Sequence, residues 1–181
     1  MTLVAYSTVI IIELLLLLGI AFYAIGLLYS GIMGAPYVPT SKKQVKDILK
    51  KAELKPGQIF MELGSGDGRV VREAVKHYRV RGIGIDANNL LVILSRLYAK
   101  REKISSVEFR KQNMFETDLK DVDVLYLFLM PELLKKMNAK FLHELKPGAL
   151  VISHGFRLEG WSDKQVDEIK SEPFSTYYYR I

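Results

Sequence analysis

The sequence predicts an α/β fold in which a mainly parallel, twisted sheet carries helices on both faces. Short apolar segments alternate with helix-like segments from residue 41 onward, which is typical of βαβ units. Residues 122–130 are apolar on both faces, as expected for a strand in the middle of a covered sheet. A glycine cluster directly follows the first predicted strand. One N-terminal helix precedes this domain.

The first helix of the domain is predicted over residues 41–54, where apolar residues recur at helical spacing and Thr40 or Ser41 supplies an N-cap. Two Lys-Pro-Gly turns, 55–57 and 146–148, each precede a strand. Further helices are predicted over 69–78, 88–103 and 131–144. Strands are predicted over 58–63, 80–86, 106–111, 122–130 and 149–156, with two candidates near 165–170 and 174–181.

The connection to the last two strand candidates is short. About eight residues separate strand 149–156 from the tail, too few for the usual crossover helix of a parallel pair. The last strands are therefore open to an antiparallel arrangement, and the sequence does not predict their order.

The N-terminal segment is strongly apolar. Residues 9–29 carry Glu13 as their single charge and would span roughly 31 Å as a helix, about one hydrocarbon core. The run is apolar on every face and longer than a signal-peptide core, which disfavours a buried helix or a cleaved leader. It predicts a single-pass membrane anchor over 1–33, a linker over 34–40 and a domain over 41–181. Five lysines between residues 42 and 51 predict that this domain is cytoplasmic.

The composition excludes several kinds of chemistry. The chain of 181 residues has no cysteine, so disulfides, thiolate zinc sites and a cysteine nucleophile are excluded. Its three histidines are far apart in sequence, so no metal site is expected. Lys and Arg number 26 against 20 Asp and Glu, a net charge of +6. Basic charge alone is weak evidence for a nucleic-acid partner, and none is expected. The pattern favours chemistry supplied by an organic cofactor.

The segment from Glu62 to Arg69 reads ELGSGDGR and joins a strand to a helix. Its glycines, Gly64, Gly66 and Gly68, permit a tight turn and a close approach to a ligand at the carboxyl edge of the sheet. Arg69 stands where the dinucleotide fingerprint needs glycine or alanine, and the P-loop sequence is absent. The Glu62 carboxylate would repel a phosphate and attract an ammonium or sulfonium group. The loop therefore predicts a cationic nucleoside ligand.

Two later positions agree with a nucleoside. Asp86 ends the second predicted strand, 22 residues after Gly64, where a carboxylate accepts hydrogen bonds from both ribose hydroxyls. Asn113 follows the third strand, so that its amide can bind adenine while Met114 or Phe115 packs on the ring. Each residue alone is commonly a helix cap, but their order and spacing together predict a nucleoside cofactor.

These motifs resemble the S-adenosylmethionine-dependent methyltransferases of the seven-β-strand class, which have a Rossmann-like sheet. The chain is more closely similar to archaeal broad-specificity protein-lysine methyltransferases. It also resembles the membrane-anchored mitochondrial enzymes that methylate lysines of the adenine nucleotide translocase and of the ATP synthase c subunit. Asn113 departs from the Asp that is common in the wider class. The matching segments are 36–40 (PYVPT), 62–69, 113–115, 144–148, 153–154 and 160–161.

The resemblance implies methyl transfer from S-adenosyl-L-methionine to lysine side chains of protein substrates. It implies an aromatic channel for the lysine, with Tyr37, Phe128 and Trp161 as candidates, and a lid over 34–40. His154 is either a proton relay or a structural hydrogen-bonding group. A dedicated base is not required, because a nearby sulfonium favours the neutral amine. The implied cofactor residues are Thr40, Glu62, Gly64, Ser65, Gly66, Asp86, Asn113 and Met114.

Other functions stay open at this point. Residues 127–132 (LFLMPE) lack the Asn/Asp-Pro-Pro-Tyr-type segment of enzymes that methylate base or glutamine nitrogens, and the absence of cysteine excludes base C5 methylation. The predicted anchor leaves a methyltransferase for a lipid or quinone-like substrate as an alternative. A membrane-tethered cofactor-binding or assembly factor without turnover is a non-enzymatic alternative.

Overall fold

The computed structural model describes residues 3–32 and 40–181, and it places the side chains of 5–21, 24 and 40–181. The chain divides into two compact units, Met1–Tyr37 and Val38–Ile181. The first contains helix α1, Leu3–Ile32, and the second contains every strand described below. Most of the predicted linker, residues 34–39 with Tyr37, lies outside the described residues. The predicted domain boundaries stay a prediction.

The predicted membrane anchor is corrected by the structure. Within the described residues, no helix combines the length and apolarity that crossing a bilayer requires. The prediction of a single-pass membrane protein with a cytoplasmic catalytic domain is therefore wrong.

Seven strands form one mixed sheet in the order β3-β2-β1-β4-β5-β7-β6. The first five pair in parallel, whereas β7 is antiparallel to both β5 and β6. This confirms the α/β class and resolves the open question about the tail. The strands are β1 Ile59–Leu63, β2 Arg81–Asp86, β3 Val107–Lys111, β4 Val124–Leu127, β5 Leu150–His154, β6 Gln165–Ile169 and β7 Thr176–Arg180.

The helices of the second unit begin and end close to the predicted residues, and local signals explain why. Ser41 forms a capping box with Gln44, and Pro131 occupies the first turn of its helix. The helices are α2 Lys42–Lys51, α3 Arg69–Tyr78, α4 Asn89–Arg101 and α5 Pro131–Glu144.

The sheet separates two apolar layers, because successive side chains of a strand point to opposite faces. Tyr178 belongs to the core that contains buried residues of α2, α3 and α4. Its neighbour Tyr179 points the other way and packs on Trp161, which contacts Phe141 of α5. Helices therefore cover both faces, and the carboxyl edge of the parallel strands is left for a site.

Strand β4 is shorter than predicted. It ends at Leu127 rather than continuing to residue 130, because Met130 already caps α5. Phe128 consequently leaves the sheet at its carboxyl edge, beside the end of β5.

Candidate functional site

The glycine loop between β1 and α3 depends on glycine at specific positions. Gly64, Gly66 and Gly68 have φ of +75°, +54° and +74°, a region that disfavours side chains. A Cβ on Gly68 would lie 2.3 Å from the ring of Phe109. The backbone therefore turns tightly at the end of β1 and reaches the start of α3 without a protruding side chain.

Asp86 joins this loop to the end of β2. Its Oδ2 accepts a hydrogen bond of 2.8 Å from the Gly66 amide, and its Oδ1 accepts one of 2.8 Å from the Asn88 amide. Burial raises the pKa of Asp86, and the two amides oppose the increase. Since each carboxylate oxygen accepts more than one hydrogen bond, this half-buried group keeps capacity for the hydroxyls of a ligand.

Glu62 lies directly before the loop and is deeply buried. Its Oε2 has no hydrogen-bond partner among the described residues. Burial raises the pKa of Glu62 well above its ordinary value, and the charges of Asp67 and Asp86 raise it further. The backbone amide of Val71 and the charge of Arg69 oppose this increase. A buried carboxyl oxygen that has no partner among the described residues indicates that a ligand group completes its surroundings.

Two further buried polar atoms lie on either side of Glu62. Tyr126 is its register neighbour on β4, and Gly84 is its register neighbour on β2. The Ser65 hydroxyl lies 2.8 Å from the position of a Cβ built on Gly84. Within the described part of the chain, neither the Ser65 nor the Tyr126 hydroxyl has a hydrogen-bond partner. Three polar groups without a partner among the described residues therefore lie over neighbouring strands: Ser65 over β2, Glu62 on β1 and Tyr126 on β4.

The Tyr126 phenol is held neutral. Burial raises its pKa well above the ordinary value, the nearby Glu62 carboxyl adds to the increase, and the Thr40 side chain opposes it. Thr40 lies beside the phenol but outside hydrogen-bonding geometry. The chain entering α2 therefore passes close to Glu62.

Arg69 connects that entering chain to the glycine loop. Its Nη1 donates to the Thr40 carbonyl at 3.1 Å, while its Nε and Nη2 donate to the Asp67 carboxylate at 3.0 and 2.8 Å. Burial disfavours the ionised Asp67, but these contacts with Arg69 outweigh it and lower the pKa. Asp67 is thus neutralised from within the loop, whereas Glu62 is not.

Asn113 follows β3 as predicted and caps the short 3-10 turn Met114–Glu116. Its Oδ1 accepts from the Phe115 amide at 3.1 Å, and its Nδ2 donates to Glu116 at 3.2 Å. The Gln112 amide donates to the Asp86 carbonyl at 3.0 Å, which brings this turn beside the end of β2. Asn113 is exposed and Met114 half-buried at this edge.

An aromatic cluster lies at the ends of β4 and β5. The Phe128 ring is 4.5 Å from His154 and 5.2 Å from Phe174, centroid to centroid. Phe156 also packs on Phe174, at 6.5 Å. Burial lowers the pKa of His154 to about 4, so its imidazole is neutral near pH 7. Its Nδ1 is 2.8 Å from the Thr176 hydroxyl.

Trp161 belongs to a different cluster. It is buried between Phe141 and Tyr179, and its indole N–H donates to the Asn138 side chain. The described residues therefore bring Phe128 and His154 together, while Trp161 packs under α5.

The comparisons with known proteins agree with this geometry. Residues 62–165 match the family described as the ANTKMT methyltransferase domain. A protein-lysine N-methyltransferase of Saccharolobus islandicus (strain REY15A) is 32% identical over 145 residues, which cover 75% of this chain and 85% of the relative. The chain belongs to this methyltransferase family. The predicted resemblance, the enzyme class and the cofactor S-adenosylmethionine are thereby confirmed.

Two other similarities bear on the methyltransferase. The adenine nucleotide translocase lysine N-methyltransferase of Mus musculus is 36% identical over 127 residues, but this chain spans only 55% of its length. A crystal structure of an RNA methyltransferase from Salinibacter ruber, in complex with S-adenosyl-L-homocysteine, has 33% identity and a TM-score of 0.76. The similarity covers 80% of the methyltransferase and 94% of that chain.

The residues of the methyltransferase fit its cofactor. A cationic ligand with hydroxyls suits the orphan groups of Glu62, Ser65 and Tyr126, and the glycine loop leaves its backbone accessible. Among the described residues, no group of three or more acidic or histidine side chains is arranged for a metal ion. The absence of a metal requirement stays a prediction.

Sequence reasoning missed two aromatic residues of the methyltransferase. Phe156 and Phe174 join Phe128 and His154 because β7 pairs with β5 and brings the β6–β7 connection to the carboxyl edge. A signal existed in the sequence, since Phe174 directly precedes the last predicted strand, but its position depended on an unknown strand order. The Gly155 amide donates to the Ser175 carbonyl at 2.8 Å and holds the two segments together.

Proposed function

We propose that this chain is an S-adenosylmethionine-dependent protein-lysine N-methyltransferase. The observation that carries the proposal is the orphan acid Glu62 beside the glycine loop, with an aromatic cluster at the neighbouring strand ends. The archaeal relative, which is named for this activity, supports lysine as the acceptor. Because the chain spans about half the length of the animal relatives that it matches, their substrates are not transferred to it.

Most of the predicted cofactor residues have a role in this proposal. Glu62 accepts from the ammonium group of the amino-acid portion, Asp86 accepts from the ribose hydroxyls, and Gly64 and Gly66 leave the backbone open. Ser65 supplies a hydroxyl, and Asn113 with Met114 borders the adenine. The Thr40 carbonyl accepts a hydrogen bond from Arg69, which holds Thr40 beside the glycine loop. Thr40 therefore borders the cofactor site where the chain enters α2.

The acceptor site lies at the aromatic cluster. The bound cofactor supplies an electrophilic methyl group on a sulfonium. Phe128 and Phe174 form an apolar wall for the methylene stem of a lysine and keep water from its amine. Desolvation favours the neutral amine that can accept a methyl group. His154, neutral and bonded to Thr176, holds this wall in position and offers no positive charge that would repel the lysine.

The experiment incubates the full chain with labelled S-adenosylmethionine and separate protein, RNA and lipid fractions. The expected result is label on protein, located on lysine by mass spectrometry. As a matched control, the lysines of the same proteins are first acetylated, which converts their amines to amides that cannot accept a methyl group and leaves arginine and carboxylate acceptors intact. Label that persists on the blocked proteins, or that partitions into RNA or the organic phase, contradicts the proposal.

RNA methylation is the second candidate, and the named activity of the Salinibacter ruber structure favours it. Against it, the segment after β4 reads LFLMPE and lacks the motif typical of base-nitrogen methylation. The lipid or quinone alternative has no comparable support among the relatives described. The RNA and organic fractions of the same experiment distinguish these acceptors.

A further inference from the structure

We propose that Tyr126 is a positioning residue for Glu62, and that binding of the cofactor releases a proton from the Glu62 carboxyl to solvent. The proposal depends on the cofactor and not on the identity of the methyl acceptor. It assigns a role to a tyrosine that the sequence does not distinguish from an ordinary core residue.

The first support is the pairing of two orphan groups. Glu62 and Tyr126 are register neighbours on adjacent parallel strands, so their side chains point to the same face. Both side chains are almost fully buried, with 5% and 0% exposure. Within residues 40–181, the Glu62 Oε2 and the Tyr126 hydroxyl each lack a hydrogen-bond partner. A buried donor and a buried acceptor that are adjacent but unpaired are costly, and a small rearrangement on binding satisfies both.

The second support is the set of charges that face Glu62. Asp67 of the loop and Asp86 of β2 are both acidic, and both disfavour an ionised Glu62. Arg69 at the start of α3 favours the ionised form, but its guanidinium is bonded to Asp67 and to the Thr40 carbonyl. The Val71 amide of α3 also favours the ionised form, and more strongly than Arg69 does. Tyr126 of β4 and Thr40 before α2 are neutral.

These surroundings keep Glu62 protonated in the cofactor-free protein. Burial and two neighbouring carboxyls raise its pKa well above the ordinary value, in agreement with the geometry. An ammonium group bound beside Glu62 supplies the missing counter-charge, so the O–H bond of the carboxyl breaks and its proton passes to the buffer. The Tyr126 hydroxyl then donates to the new carboxylate and fixes its orientation. Affinity therefore rises with pH until the free carboxyl is itself ionised.

The experiment is isothermal calorimetry of the full chain with S-adenosylhomocysteine, which carries the ammonium group but no methyl to transfer. Titrations at pH 7.0 use three buffers of different ionisation enthalpy, and the dependence of the observed enthalpy on the buffer counts the protons released. We expect release of a substantial fraction of one proton by the natural chain and none by Glu62→Gln. For Tyr126→Phe we expect a dissociation constant at least tenfold higher and a pH dependence displaced to higher pH.

Tyr179→Phe is the matched control, because Tyr179 is also a buried tyrosine but lies on the opposite face, where its hydroxyl accepts from the Leu158 amide. Its proton count and affinity should equal those of the natural chain. Binding without any buffer dependence would overturn the proton release. A Tyr126→Phe variant that matches the natural chain in affinity and pH profile would overturn the positioning role. Both outcomes leave the acceptor question untouched, since no methyl group is transferred.

Discussion

The variant Asp86→Asn tests whether the Asp86 carboxylate holds the glycine loop in its observed conformation. In the natural chain the two carboxylate oxygens accept 2.8 Å hydrogen bonds from the Gly66 and Asn88 amides. An asparagine presents one oxygen and one NH2 group, so either orientation leaves one backbone N–H facing another donor. A hydrogen bond to a charged acceptor contributes about 1.5–3 kcal/mol, and an unsatisfied buried donor costs about 1–3 kcal/mol. Removal of a desolvated charge offsets part of this loss.

We therefore expect the free energy of unfolding of the cofactor-free protein to fall by about 1–3 kcal/mol. The dissociation constant for S-adenosylhomocysteine should rise at least tenfold, or about 1.4 kcal/mol, because the loop and the ribose acceptor change together. Denaturant unfolding and calorimetry at pH 8 measure the two quantities. Asp118→Asn is the control, since Asp118 is exposed and accepts a similar hydrogen bond from the Lys120 amide. If Asp86→Asn resembles this control in both assays, Asp86 does not organise the loop.

Three further changes test neighbouring parts of the structure. Gly84→Ala places a Cβ 2.5 Å from the Phe109 ring and 2.8 Å from the Ser65 hydroxyl. The free energy of unfolding should therefore fall by about 1–3 kcal/mol, and cofactor binding should weaken. An unchanged melting temperature would contradict this packing. Glu62→Gln should stabilise the cofactor-free protein at pH 8. The raised pKa means that the folded state binds more protons than the unfolded state, so the natural chain loses stability as pH rises above about 4.5, and thermal melts should converge below that pH. Phe174→Leu should lower kcat/KM for a lysine substrate about tenfold, while the dissociation constant for S-adenosylhomocysteine stays constant. A kcat/KM equal to that of the natural chain would show that Phe174 is not part of the acceptor site.

The glycine loop is a part of the site that local sequence patterns predict. Glycines at alternate positions, a preceding acid and a strand-end aspartate predict a ligand at the carboxyl edge, because a strand, a tight turn and a helix start are encoded within a few residues. The same holds for α5, where Pro131 marks the first turn. The membrane anchor that the apolarity of residues 9–29 predicted was wrong, since no helix within the described residues combines the length and the apolarity that crossing a bilayer requires.

Local pattern could not decide how the tail returns to the sheet. Once β7 inserts antiparallel between β5 and β6, Phe174 comes beside Phe128 and His154, whereas Trp161 is left under α5. Each of these aromatic residues is equally compatible with core or site in the sequence, because an aromatic side chain buries large apolar area wherever it lies. Strand order, and not residue type, decided which of them lie together.

The sequence by itself determined the alternation of strands and helices, the glycine loop and the cofactor class, because these depend on periodicity and on short turns. Only the tertiary structure decided that Glu62 and Tyr126 are buried on neighbouring strands, where the Glu62 Oε2 and the Tyr126 hydroxyl have no hydrogen-bond partner among the described residues. It also decided that the Arg69 guanidinium donates to the Asp67 carboxylate. Burial and charge pairing are properties of neighbours distant in sequence. The raised pKa of Glu62 therefore follows from its burial and from neighbours on other segments of the chain, which no local pattern contains.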